Sequence, residues 1–308
     1  MKKILVVGSL NMDCVIETPH IPRAGETISG RNVVFTPGGK GANQAYAIGK
    51  LGGSAKMLGA VGKDSFGQTL KNNLSNVGVD VSEISVLEHE PTGQAFISID
   101  DEGENSIIII PGANGALTPE LIGKKEESLK KNIENSDIIV MQLEIPLETV
   151  TYVKELAASF QKTIIVDPAP AVTDIPDSFW NGIDYIKPNE TELSILTGKP
   201  TGTREEIIEG AKSMLHKGVR NVIATMGGKG CLLVNKDSTQ FFESRSVKAI
   251  DTTAAGDCFT AAFALALAEG KSCQKAIAFG QEASAIAVTR KGAQASIPNR
   301  QEITETSC

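Results

Sequence analysis

Asp251-Thr252-Thr253-Ala254-Ala255-Gly256-Asp257 leads into an alanine-rich stretch, Cys258-Phe259-Thr260-Ala261-Ala262-Phe263, that runs on to Glu269-Gly270. The alanines read as a helix, and Gly270 sits where a helix C-terminus wants a glycine. Small residues just before a helix let backbone N–H groups converge on an anion, with the positive end of the helix dipole behind them. An aspartate in that mouth is well placed for proton transfer. Asp257 has a second reading as a simple helix cap, for which aspartate is a preferred residue. The run of small residues favours the first, because a cap alone does not need it.

Two glycine-rich turns are further candidates: Gly38-Gly39-Lys40-Gly41-Ala42-Asn43 and Thr225-Met226-Gly227-Gly228-Lys229-Gly230. Neither has the G-x-G-x-x-G spacing of a dinucleotide fold, and no G-x-x-x-x-G-K-[ST] occurs, so P-loop and Rossmann chemistry are disfavoured. Each is open as a tight turn or as a backbone that approaches a ligand closely.

These segments need a scaffold. Ile4–Val7, Ile138–Met141, Thr163–Val166 and Val222–Thr225 are continuous apolar runs of the kind buried parallel strands show. Amphipathic stretches at Pro119–Ile133, Leu147–Ala158 and Arg204–His216 lie between them. The alternation predicts one wound α/β domain over residues 1–308, in three layers, with a mainly parallel sheet flanked by helices. Residues 14–18, 27–34, Thr92–Ile99 and Asn105–Ile110 read as short strands outside the alternation. The last two are joined by the turn Asp101-Glu102-Gly103-Glu104. They form either edge strands or a small β lid inserted at about 12–36 and 92–111.

Bulk properties exclude several classes. The 308 residues carry a net charge of −7 with no basic stripe, which disfavours nucleic acid and anionic membranes as partners. The five scattered cysteines, Cys14, Cys231, Cys258, Cys273 and Cys308, read as free thiols. The apolar run after Met1-Lys2-Lys3 is too short for a signal peptide, and none is long enough to span a bilayer. The expectation is a cytoplasmic protein. His20, His89 and His216 have no ligand-like spacing and read as surface residues; Trp180 reads as core.

The two signature-like segments, Gly38 to Ala45 and Asp251 to Asp257, resemble those of the ribokinase-like (phosphofructokinase-B type) carbohydrate kinases. So do Asn11-Met12-Asp13, Met141-Gln142-Leu143-Glu144, Asp167-Pro168-Ala169-Pro170, Pro188-Asn189-Glu190-Thr191-Glu192 and Thr289-Arg290-Lys291-Gly292-Ala293-Gln294, in order along the chain. The set is nearer the ribose branch than the adenosine, fructose or ketodeoxygluconate branches. The resemblance implies transfer of the γ-phosphoryl group of ATP to the 5-hydroxyl of D-ribose, with a β lid that often forms a homodimer. A deoxyribose or nucleoside kinase, and a non-catalytic sugar-binding sensor, are the alternatives.

It also implies roles. Asp257 is the base, and the amides of Ala254, Ala255 and Gly256 form an anion hole. Asn11, Asp13, Gly39, Lys40, Gly41, Ala42, Asn43 and Glu144 bind the sugar. Asn189, Thr225, Met226, Gly227, Gly228, Lys229, Gly230, Gly256, Asp257 and Gln281 contact the nucleotide, the last occupying a place where relatives often carry Asn or His. Glu192 acts on Mg²⁺ indirectly. Asp251, Thr253, Ala287, Arg290, Gly292 and Ser296 hold a monovalent cation, usually K⁺. From the residues alone, Asn189 and Glu192 also fit a helix capping box, Asp13 a turn after the first strand, Glu144 a solvated acid, and Asp251 a clasp on its own loop.

Overall fold

The computed structural model describes residues 2–124 and 126–303. The main sheet has nine strands. In spatial order they are β13 (Thr239–Phe242), β12 (Cys231–Asn235), β11 (Asn221–Thr225), β10 (Tyr185–Ile186), β9 (Thr163–Asp167), β8 (Ile138–Gln142), β1 (Lys3–Val7), β4 (Ser54–Gly62) and β5 (Asp80–Leu87). All neighbours from β11 to β5 are parallel; only the edge hairpin β11–β12–β13 is antiparallel.

The apolar runs are continuous because both faces of the sheet are covered. Alternation splits β1 cleanly: Ile4 and Val6 join one core, Leu5 and Val7 the other. In β8, Ile138 and Val140 again face the first core and Ile139 and Met141 the second. The first core is closed by α1 (Lys40–Lys50), α2 (Ser65–Asn76), α9 (Ala255–Ala268) and α10 (Cys273–Ala287). The second is closed by α3 (Pro119–Gly123), α4 (Glu126–Glu134), α5 (Leu147–Ser159), α6 (Asp177–Trp180), α7 (Glu190–Thr197) and α8 (Arg204–His216). The result is the expected helix–sheet–helix sandwich, with Trp180 buried in it.

A separate four-stranded sheet has the order β3 (Asn32–Gly38), β2 (Asn11–Glu17), β6 (Gly93–Ile99) and β7 (Asn105–Ile110). Asp100–Glu104 closes the β6–β7 hairpin, with Gly103 at φ +83°. Two expectations shift. The strand expected at 27–34 begins at Asn32, because pairing of Asn32 with Glu17 fixes where the ladder starts. The helix expected over Pro119–Ile133 is two helices, the first ending at Gly123. Cys14, Cys231, Cys258 and Cys273 are free thiols, and Cys308 lies outside the described residues. All three histidines are exposed. Among the described residues no helix is long and apolar enough to cross a membrane.

Candidate active site

The parallel strands all deliver their chains to one edge of the sheet. Three polar residues sit there at strand ends or directly after one, where a wound sheet binds ligands: Gln142, Asp167 and Lys187. Helix α9 brings Asp257 to the same place. Ala254, at φ +58°, turns the chain into the helix, so Asp257 stands in its first turn and is not the N-cap. The capping reading of Asp257 therefore fails.

Its carboxylate is instead held by side chains. Asn43 Nδ2 donates to Oδ2 at 2.9 Å, and Gln44 Nε2 donates to Oδ1 at 3.0 Å. Burial pushes the Asp257 pKa up to about 6, with Asp167 adding to the rise; Lys40 and the two amides oppose it. That leaves a carboxylate with a basicity suited to proton abstraction near neutral pH.

Lys40 opens α1 at the same spot. Burial works against its charge, but Asp257, Glu144, Asp167 and Glu192 outweigh that and hold its pKa above the usual lysine value. Asp167 and Lys187 form a buried ion pair at 3.3 Å. Gln44 Nε2 also reaches Asp167 Oδ2 at 3.0 Å, and Thr260 donates to the same oxygen at 3.1 Å. Asp167 Oδ1 is buried with no protein partner among the described residues.

A cleft of about 490 Å³ extends from this cluster, of a size that takes a nucleotide. It is lined by Lys40, Asp167, Lys187, Asn189, Glu192 and Asp257 at one end and by Thr225, Gly227, Gly228, Gly230 and Gln281 elsewhere. Met226 is buried in the second core and Lys229 turns out to Glu190 at 3.7 Å, so neither side chain lines the cleft. Gln281 lines the cleft while its amide donates to Phe242 O at 3.1 Å.

Asn189 and Glu192 make a full capping box on α7, each side chain bonded to the other's backbone N–H at 2.8 Å. Both readings of this pair hold in geometry, since both residues also line the cleft. Burial raises the Glu192 pKa, Lys187 opposing and Asp167 adding.

The expected sugar residues gather beside Asp257, beneath the small sheet. Asp13 lies within β2, not in a turn, and is 9% exposed. Burial, then Glu144 and Asp257, push its pKa up to about 7 against the pull of Lys40. Asn11 Oδ1 accepts from Asn114 at 2.7 Å. Glu144 is half-buried and receives Ser9 Oγ at 2.6 Å and the Lys40 amide at 3.0 Å, so it is not a freely solvated acid.

Gly41 and Ala42 also have partners within the chain. Their amides donate to Ser9, at 3.3 Å to its Oγ and 2.8 Å to its carbonyl. A Cβ on Gly41 would come within 2.6 Å of Ser9 N, so this glycine seats α1 against the β1–β2 loop. Gly39, at φ +87°, makes the turn that starts α1. Asn43 is likewise committed, to Asp257 on one side and to Gln294 at 3.0 Å on the other.

Of the three expected anion-hole amides, Ala255 N donates to Thr252 O at 3.2 Å. Among the described residues the amides of Ala254 and Gly256 make no hydrogen bond. The expected cation residues fold into one corner. Asp251 receives Thr253 N at 2.9 Å and Gly292 N at 2.8 Å, and these bonds lower its pKa despite burial. The Ala287 carbonyl accepts Arg290 N at 3.0 Å, the Arg290 guanidinium pairs with Glu302, and Ser296 Oγ donates to Ala293 O at 2.7 Å. The clasp reading of Asp251 is thus realised.

Gln44, Gln142, Asp167, Lys187 and Gln294 were not among the expected site residues. For Gln142, Asp167 and Lys187 the available signal was a polar residue ending or following an apolar run, the position that faces ligand in a parallel sheet.

Comparison with known proteins gives the family. Residues 1–300 match the family model for pfkB family carbohydrate kinases. Ribokinase of Haemophilus influenzae is 41% identical, over 99% of this chain and 98% of its own. Deoxyribokinase of Salmonella typhi is 37% identical, over 98% and 97%. The structure of Arabidopsis thaliana ribokinase complexed with ribose and ATP superposes with a TM-score of 0.92 at 35% identity, covering 98% and 97% of the two chains. With the family model matched over residues 1–300 and a relative aligned over 99% of the chain, the chain belongs to the pfkB family of carbohydrate kinases.

Proposed function

We propose that this protein transfers the γ-phosphoryl group of ATP to the 5-hydroxyl of D-ribose. The observation that carries the reading is Asp257: a buried carboxylate of raised basicity, gripped at both oxygens, between the cleft and the Asp13 cluster. Asn11, Asp13 and Glu144 offer acceptors and Lys40 a donor for the sugar hydroxyls. Asp257 takes the proton from the 5-hydroxyl as that oxygen bonds to the γ-phosphorus. The β–γ bridging bond breaks and ADP leaves.

Charge on the transferring group is met by the amides of Ala254 and Gly256 and by Lys40 and Lys187. For Ala255 to join them, its bond to Thr252 must open. The nucleotide lies along Thr225 to Gly230, Asn189 and Gln281.

Among the described residues no three His, Cys, Asp or Glu side chains form a ready-made metal cage. That suits Mg²⁺, which is bound through substrate phosphates, water and one or two carboxylates. The unpartnered Oδ1 of Asp167 and the carboxylate of Glu192 fit that part. Mg²⁺ held there would supply positive charge against that of the phosphates. For K⁺, the hard oxygens of Asp251, Thr253, Ala287, Arg290, Gly292 and Ser296 are of the right chemistry. Asp251 already ties Thr253 to Gly292, and the cation would tighten that corner.

The exposed apolar face of the small sheet supports a homodimer with the sheet as lid. The whole chain then acts as one domain, and we place it in the cytoplasm.

Turnover of ribose, 2-deoxyribose, fructose and adenosine, followed by ADP release, tests the reading. Ribose is expected to give the highest kcat/KM. Preference for 2-deoxyribose moves the assignment to the deoxyribokinase-like alternative, and no turnover with any acceptor leaves a sugar-binding sensor.

A further inference from the structure

The base is reached by a directed chain of carboxamides. Asn73 Nδ2 on α2 donates to Gln294 Oε1. Gln294 Nε2 donates to Asn43 Oδ1 at 3.0 Å, and Asn43 Nδ2 donates to Asp257 Oδ2 at 2.9 Å. Asn43 and Gln294 are 6% and 4% exposed, so water has little access to repair a broken link. A primary amide has two ends of nearly equal shape and opposite polarity. Only the N–H₂ end is acceptable to a carboxylate; the carbonyl end would set oxygen against oxygen in a buried place. Asp257 therefore selects the N–H₂ end, which turns the Asn43 carbonyl to the far side, where it is buried and needs a donor of its own.

We propose that Gln294 is a positioning residue for phosphoryl transfer: by donating to Asn43 Oδ1 it satisfies the end that Asp257 cannot and anchors Asn43 in the orientation that grips the base. Asn73 fixes Gln294 in turn. The other oxygen of Asp257 is served in parallel, since Gln142 Nε2 donates to Gln44 Oε1 at 2.6 Å and Gln44 Nε2 donates to Asp257. The relay through Gln294 differs in where it comes from. Gln294 lies two residues beyond Gly292, whose amide holds Asp251, so one short segment steadies both the loop before α9 and the base within it. This inference rests on Asp257 being the base.

The test is a kinetic cycle on the full chain with ribose and ATP. Gln294→Met keeps the volume but cannot donate. It is expected to lower kcat roughly ten-fold, with both KM values within about two-fold, the mark of an interaction felt in the transition state. In an Asn43→Ala background the same change is expected to have no further effect on kcat, because the relay is already cut. Gln294→Glu, of nearly the same shape, turns an acceptor toward Asn43, which then cannot satisfy both carboxylates with one N–H₂ group; its loss is expected to exceed that of Gln294→Met. It also carries the comparison should the methionine variant fail to fold.

Equal losses from Gln294→Met with and without Asn43, or a lowered Tm with kcat intact, overturn the proposal. Asp257→Asn separates the levels. If that variant is inactive while Gln294 variants turn over normally, the relay alone is wrong. If it is fully active, the assignment of the base is wrong.

Discussion

β1 and β7 are both runs of aliphatic residues, and they meet opposite environments. Ile4 to Val7 are at most 1% exposed, whereas Ile107 to Ile110 are 43% to 62% exposed. On β3, Val33, Val34 and Phe35 are also about half exposed. The difference lies in what covers each sheet. Helices from the same chain close both faces of the large sheet; in the small sheet part of the apolar surface has no cover from the described residues. An apolar run thus reports a demand for a partner and leaves open whether the chain supplies it. The two sheets also divide the chemistry. The large sheet and its helices carry Asp257, Lys40, Asp167 and Lys187, while the small sheet contributes Asn11 and Asp13.

The largest expected effect tests the chemical half of this division. Asp257→Asn should fold with an unchanged Tm to within a few degrees and lose on the order of 10² to 10⁴ in kcat. Next comes the burial contrast itself. Ile139→Ala, in the doubly covered β8, should cost about 2–5 kcal/mol in denaturant unfolding. Ile108→Ala, on the small sheet, should change the unfolding free energy of the monomer by no more than about 0.5 kcal/mol. Equal losses at the two sites would erase the distinction between covered and uncovered runs.

If a second copy covers the small sheet, Ile108→Lys should halve the mass seen by sedimentation at micromolar concentration. The same mass for variant and wild type would remove that partner.

The smallest effect concerns Asp13. Its pKa in the folded protein, about 7, lies above the ordinary aspartate value of 3.8, so the folded state binds the extra proton more readily than the unfolded state. Ligand-free stability should therefore fall as pH rises from about 4 through about 7. Asp13→Asn should raise the ligand-free Tm at pH 8 while raising KM for the sugar. Activity runs the other way: ionised Asp257, with a pKa of about 6, is needed, so kcat should decline as pH drops below about 6. A flat rate between pH 5 and 8 would contradict the role of that carboxylate.

Much of the fold was legible because it is local. The uninterrupted aliphatic runs and amphipathic stretches gave the parallel sheet and its helices, and the small sheet emerged from strands that broke the alternation. β3 was misplaced by several residues because a ladder's register is set by the partner strand, Glu17 opposite Asn32, and not by its own composition. The split of Pro119–Ile133 into two helices was likewise missed, since amphipathic spacing continues across Gly123.

At the site, the residues that announced themselves were those in unusual local company: Asp257 after small residues, Lys40 among glycines, and Asn189 three before Glu192. Asn43 and Gly41 were visible, but their partners within the chain were not. Their neighbours in sequence suggested ligand contact, while their neighbours in space are Asp257, Gln294 and Ser9.

The sequence by itself determined the aliphatic and amphipathic segments that build the large sheet and its helices, and that a carboxylate would stand where the alanine-rich helix opens, because periodicity and small-residue runs act over a few neighbouring positions. Only the tertiary structure decided that Gln44, Asp167, Lys187 and Gln294 converge on that carboxylate, and how strongly it holds its proton. Hydrogen-bond direction and desolvation depend on groups more than a hundred, in places more than two hundred, residues apart along the chain.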